Sequence, residues 1–243
     1  MHPPSASRIV GAAIFVLVSM LCRPAAAFTV SPDAKSIAIT GADVGKSFAV
    51  DWSKEIGNCR QLADLTATST WNVLGLNANK LTLSISMTNT TANAWWGLFK
   101  AAITSFGVGS SPNATGAYGA NGEGDVFDAA GHGFGAQQSF PGGFKQIDAC
   151  FSSGNGCHGG SFWSGLQTGV TDTLMVVLAG NFSGGLVTLG LFPLKFKTTF
   201  GSYSVAGVVS AVPLPATLPL LAAAIGGLGL IRRRHARCMA SRA

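Results

Sequence analysis

The chain reads as an antiparallel β-sandwich, and three features of its 243 residues point there. Short segments alternate apolar and polar residues, glycine-rich stretches separate them, and no long charged helical pattern intervenes. Alternation with a period of two sends every second side chain to the same face of a strand, which suits a sheet buried on one side. Many such segments in succession, joined by turn-forming residues, favour two packed sheets.

Both ends stand apart from that pattern. Arg8, the apolar run Ile9 to Leu21 and then Ala25-Ala26-Ala27 supply the positive start, hydrophobic centre and A-x-A exit of a secretory signal peptide. Cleavage is predicted between Ala27 and Phe28, which assigns residues 1–27 to the signal. Bulky Met20 and Leu21 before Cys22 argue against lipidation of that thiol.

The body begins with Ser36-Ile37-Ala38-Ile39-Thr40 and Ser47-Phe48-Ala49-Val50-Asp51-Trp52, with Gly41 and Gly45 between them, which reads as a hairpin. Strands follow at residues 66–76 and 80–89; in the second, Leu81, Leu83, Ile85 and Met87 share one face. Residues 94–106 carry Trp95, Leu98, Phe99, Ala102, Ile103 and Phe106 at a spacing that also fits a helix, but the β-rich neighbours and the glycines behind favour a strand. Residues 107–143, rich in Gly, Ser, Asn and Ala, read as a long surface loop or a pair of short strands with generous turns. Further strands are expected at 144–151, 171–179, 186–191 and 203–209, with Lys195-Phe196-Lys197 alternating charge and aromatic between the last two. Residues 205–211 are either the last strand or the start of a tether.

Beyond residue 211, Val212-Pro213-Leu214-Pro215-Ala216 leads into an apolar run ending at Ile231 and then Arg232, Arg233 and Arg234. Twenty uncharged residues span about 30 Å as a helix, just enough for one transmembrane helix. The arginines mark its cytoplasmic side. A Pro box, a Gly/Ala/Leu span and an Arg cluster in this order resemble the PEP-CTERM sorting signal of the VPLPA type. That resemblance covers residues 212–243 and implies recognition by an exosortase, a membrane-embedded cysteine transpeptidase that cleaves near the Pro box and transfers the protein to an envelope acceptor. The Phe140-Pro141-Gly142-Gly143 segment, Cys150, Cys157, Gly159-Gly160 and the later TLMVVLAG strand are similar to the cysteine-bearing "cistern" group of such proteins, which implies a β-rich surface domain without a defined activity.

The charge follows the same division. The isoelectric point near 9.3 would ordinarily suggest an anionic partner, but seven of the sixteen Lys and Arg residues lie in the two ends. Nine bases against ten acids leave residues 28–211 with a formal charge of −1. Single, scattered lysines on that body do not make a nucleic-acid surface. Cys59, Cys150 and Cys157 remain in the exported part; Cys150 and Cys157, flanking the turn-forming Ser152 to Gly156, are the expected disulfide, with pairing of Cys59 left open.

Candidate chemistry is sparse. Glu123, Asp125, Asp128 and His132 bring cation ligands together, but without the alternation or closing Glu of an EF-hand loop. His132, His158, Cys150 and Cys157 lack the short ligand spacing of a zinc site. Ser161 and Ser164 are not in a G-x-S-x-G elbow, and no phosphate-binding loop occurs. Trp95, Trp96, Phe162 and Trp163 suit stacking on sugar rings, although burial in a core is the more frequent use of such side chains. The sequence therefore predicts a non-enzymatic surface or matrix protein without cofactor or metal. The expected partners are the secretion translocon, signal peptidase, an exosortase-like transpeptidase and, transiently, the inner membrane. An exopolysaccharide-binding module is the alternative, and a hydrolase using Asp125, Asp128 or His132 comes behind it.

Overall fold

Alternation governs the folded chain. In a computed structural model describing residues 28–56, 63–92, 100–120, 126–127, 138–154 and 156–211, these residues form sixteen strands, one 3₁₀ turn (Gly41–Asp43) and no α-helix. The strands are β1 (Thr29–Val30), β2 (Ser36–Thr40), β3 (Ser47–Ile56), β4 (Ala63–Leu76), β5 (Lys80–Asn89), β6 (Ala101–Ser111), β7 (Ala114–Ala120) and β8 (Gln138–Phe140). They continue as β9 (Phe144–Ile147), β10 (Ala149–Ser152), β11 (Leu166–Gln167), β12 (Thr171–Gly180), β13 (Leu186–Gly190), β14 (Pro193–Thr198), β15 (Gly201–Ala206) and β16 (Val208–Ala211). All belong to one compact unit, Phe28–Val212; the other unit, Met1–Ala27 with Pro213–Ala243, lies outside the described residues.

The pairings are antiparallel throughout. Six strands follow the order β16-β3-β4-β5-β12-β7, and eight form a second sheet in the order β1-β2-β13-β6-β14-β15, with β10 and β11 also paired to β6. A two-stranded ribbon joins β8 and β9. β5 has the predicted bounds, and Leu81, Leu83, Ile85 and Met87 are all fully buried. They share one core with Phe48, Val50, Trp52 and Trp71 of the same sheet and with Ile37, Ile39, Phe106, Val187, Leu194 and Phe196 of the other. Trp71 of one sheet meets Phe106 of the other edge-on with centroids 6.3 Å apart, and within its own sheet Phe106 stacks on its β10 neighbour Phe151 at 5.1 Å.

The expected hairpin at 36–52 does not form. β2 pairs with β1 and β13, whereas β3 pairs with β4 and β16, so the turn between them carries the chain from one sheet to the other. The Asp43 carboxylate closes that corner, accepting hydrogen bonds from Thr40 N at 2.9 Å, Thr40 Oγ1 at 2.7 Å and Lys46 Nζ at 2.9 Å. Gly45 N then bonds the Val73 carbonyl at 2.8 Å, seating the corner on β4. Alternation fixed that Ile37, Ile39, Phe48 and Val50 all face one core, but it is equally compatible with strands in opposite sheets.

Residues 107–111 differ most from expectation. They form the second half of β6, which is buried on both faces, and β7 takes up residues 114–120. β6 also changes phase. Lys195 pairs with Ser105 and Phe196 with Ile103, so Thr104 is an inserted residue. After such a bulge the inward positions move from Ala101 and Ile103 to Phe106 and Val108, while Ser105, Gly107 and Gly109 face outward. Over that outer face lies a second small core of Phe140, Ile147, Cys150 and Cys157, with Phe144 against it. The glycines make room for this cover: a Cβ on Gly107 would stand 2.8 Å from Ile147 Cγ2, and one on Gly109 would stand 2.7 Å from the Gln146 carbonyl. The predicted strand at 144–151 is accordingly two strands, β9 and β10, separated at Asp148.

Of the expected strand at 94–106, residues 101–106 lie in β6, and 93–99 lie outside the described residues. The last strand expected at 203–209 is divided between β15 and β16 at Gly207, and residues 208–211 pair with β3 as a strand rather than forming a tether.

Candidate functional site

Two surface features carry unengaged chemistry, and both are mounted on the outer side of β6. The first is the segment between the small outer core and β11. Cys150 on β10 and Cys157 beyond it are joined by a disulfide, with Cα atoms 5.5 Å apart and seven residues of separation. Ser105 Oγ donates to the Cys157 carbonyl at 3.0 Å, tying the clip to β6. Past the clip, Gly159 lies at φ +78°, where a Cβ would stand 2.7 Å from Thr104 Oγ1, so only glycine fits this approach to the bulge.

Residues 161–165 then make a turn whose polar groups are committed internally. Ser164 N donates to Ser161 Oγ at 3.2 Å, and Ser164 Oγ donates to the Ser161 carbonyl at 3.0 Å. The Gln167 amide donates to the carbonyls of Phe162 and Gly165 at 2.8 and 2.9 Å. Trp163 projects from this braced turn, 79% exposed, with the Phe162 ring edge-on at 5.1 Å. Burial in a core is the more frequent use of such side chains, and Trp163 departs from it. Nearby on β14, Lys195 Nζ donates to the His158 carbonyl. Partial burial, and then repulsion from Lys197, hold the Lys195 ammonium below the usual lysine range.

The second feature is an open groove of about 260 Å³ at the far end of β6, lined by Gly109, Ser110, Ser111, Asn113, Gln146, Thr188, Gly190 and Leu191. Its floor is set by the pairing of Gly109 with Gly190, Ser110 with Leu189 and Ser111 with Thr188. Beneath it the buried Asp148 carboxylate accepts Ser110 N at 2.6 Å and Ser110 Oγ at 2.9 Å, while Ser110 Oγ also accepts Ala114 N at 2.8 Å. Three non-glycine residues have positive φ among the described residues, and two of them, Gln146 at +62° and Leu191 at +49°, line this groove. Sequence reasoning missed it because serines, an asparagine and a threonine dispersed over eighty positions carry no spacing signal.

Other candidate residues divide plainly. Among the described residues no group of three or more His, Cys, Asp or Glu side chains is placed to hold a metal ion. The disulfide removes Cys150 and Cys157 from any thiolate site. Glu123, Asp125, Asp128, His132, Trp95, Trp96 and Cys59 lie outside the described residues. The same holds for Ala25 and Ala27, for the Pro-box residues 212–216, and for Arg232, Arg233 and Arg234; Phe28, just after the expected cleavage, is buried in the main core. Asn89 is fully buried and donates to the Ala101 and Leu166 carbonyls at 3.1 and 2.9 Å, which makes it structural. Comparison with known protein families, with characterised proteins and with solved structures returns no match.

Proposed function

We propose that this chain is an exported surface or matrix protein: a β-sandwich spanning residues 28–211, delivered by a signal peptide and sorted through its C-terminal Pro box, apolar span and arginines. Two packed antiparallel sheets around one core support the sandwich reading. The observation that carries export is the Cys150–Cys157 disulfide, a bond that persists in oxidising compartments and is rare in the cytosol. In this reading catalysis belongs to an exosortase-like partner, and Pro213, Leu214, Pro215 and Ala216 are its substrate residues, kept extended by the prolines. Intact-mass measurement on protein from its native host tests the proposal. A mature form lacking residues 1–27 and everything from Arg232 onward is expected; a chain still ending at Ala243 would count against sorting.

A second reading, polysaccharide binding through Trp163, is favoured by the exposure of that indole on a turn braced by Gln167. A rigid exposed aromatic face stacks on sugar rings at little entropic cost. Polysaccharide pull-down that persists after Trp163→Ala would remove this reading.

A further inference from the structure

We propose that the groove between β6, β9 and β13 is a binding site for a neutral, polyhydroxylated unit of about one sugar ring, separate from the Trp163 turn. Four of its lining residues, Ser111, Asn113, Gln146 and Thr188, have polar side chains that make no hydrogen bond to another described residue. Together they present two hydroxyls and two amides, groups that both donate and accept. A ligand matching them must do the same at several points, as adjacent hydroxyls on a ring do.

The lining also excludes other classes. No Lys or Arg side chain lines the groove, so nothing there neutralises an anion; no carboxylate lines it either, since Asp148 is buried and occupied by Ser110. Apolar atoms make up most of the lining and polar side chains stand among them, so a ligand that offers both C–H and hydroxyl surface matches it better than a wholly apolar one. Leu191, 43% exposed, is the single large apolar group and suits the C–H face of a ring. At about 260 Å³ the volume falls just below the usual range for drug-sized ligands, which limits the occupant to a small unit.

Backbone geometry supplies an independent observation. Left-handed φ at a non-glycine residue is costly, and such residues cluster at ligand clamps. Gln146 and Leu191 both line the groove, one on β9 and the other just after β13, and both are held in that conformation. Gln146 O is also the atom that forbids a side chain at Gly109, so the left-handed residue packs directly on the floor.

The test uses the purified full chain with methyl glucoside, methyl galactoside, methyl mannoside and glucuronate, read by ligand-observed nuclear magnetic resonance with titration. At least one neutral glycoside should bind with a millimolar Kd. Asn113→Ala and Thr188→Val should each weaken it by about tenfold, the effect of one lost hydrogen bond. Gln146→Gly tolerates the left-handed backbone while deleting the amide, so it should weaken binding without lowering the melting temperature. Gly41→Ala, outside the groove lining and with open space for the added methyl, should leave the affinity unchanged. No saturation by any neutral glycoside at about 10 mM, where a millimolar site is mostly filled, would overturn the proposal. So would a preference for glucuronate, or affinity lost with Trp163→Ala but kept in the groove variants.

Discussion

The Trp52 indole nitrogen donates a 2.8 Å hydrogen bond to the Phe192 carbonyl, and Gly207 N donates to that same oxygen, also at 2.8 Å. Trp52 belongs to the six-stranded sheet, Phe192 links β13 to β14 in the eight-stranded one, and Gly207 is the single residue by which the chain passes from β15 to β16. One carbonyl thus joins both sheets and the crossing between them. A Cβ on Gly207 would stand 2.5 Å from Val50 Cγ1 and 2.8 Å from Trp52 Nε1, so the close approach depends on glycine.

Trp52→Phe should therefore destabilise by about 2–4 kcal/mol, combining a lost buried hydrogen bond with a partial cavity. Gly207→Ala should cost about 1–3 kcal/mol through overpacking against Val50 and Trp52. Urea unfolding of the two variants measures both. Because Trp52→Phe removes the Nε1 atom that the Gly207 methyl would meet, the double variant should lose less than the sum of the two effects.

How far the fold is legible in the sequence follows from what alternation encodes. It tells which side chains face a core, and Leu81, Leu83, Ile85 and Met87 are buried as their spacing predicts. It does not tell which strand lies alongside, so β2 and β3 look like a hairpin although the Asp43 corner sends them into different sheets. The glycines of β6 fail for a different reason. Gly107 and Gly109 resemble loop residues, but their lack of a side chain is what admits Ile147 and the Gln146 carbonyl. Periodicity cannot register a strand buried on both faces with a bulge at Thr104, because the inward phase changes midway. At the candidate sites, the cysteine pair was legible from its turn-forming spacer, while the exposure of Trp163 depends on where the turn leaves the sheet.

Gly109→Ala tests the cover directly. The added methyl meets the Gln146 carbonyl at 2.7 Å and Leu191 Cδ1 at 3.4 Å, so it must displace β9 rather than a flexible side-chain tip. A loss of about 1–3 kcal/mol is expected, with the largest chemical-shift changes at Gln146 and Ile147. Gly41→Ala, where a Cβ meets nothing within 4 Å, is the matched control and should change stability by less than about 0.5 kcal/mol.

The disulfide should act locally. Cys150 and Cys157 belong to the small outer core, distinct from the cluster that joins the two sheets. A seven-residue separation closes a short loop, so Cys150→Ala with Cys157→Ala should cost about 2–3 kcal/mol in the chain-entropy account. Hydrogen exchange should accelerate over 153–165 and at Ser105, whose hydroxyl holds the Cys157 carbonyl, before it does in β4 or β5. Uniform acceleration across both sheets would show instead that the clip supports the whole fold.

Asp43 sets an acid-dependent term. Burial by itself raises its pKa, but the hydrogen bonds from Lys46 and from the Thr40 hydroxyl and amide outweigh that effect and hold the carboxyl below its ordinary value of 3.8. A folded-state pKa below the unfolded one means that the stabilisation is fully present above the unfolded value and is lost as pH falls through the folded one. The corner between β2 and β3 should therefore weaken below about pH 4, not near neutrality. Thr40→Val removes the hydroxyl at 2.7 Å and leaves the amide donor in place. Its destabilisation relative to the parent should be largest at neutral pH and shrink as Asp43 protonates. Thermal melts from pH 7 to pH 2 measure this difference, and a penalty that grows on acidification would contradict the assignment of Asp43 as the charged closure of the corner.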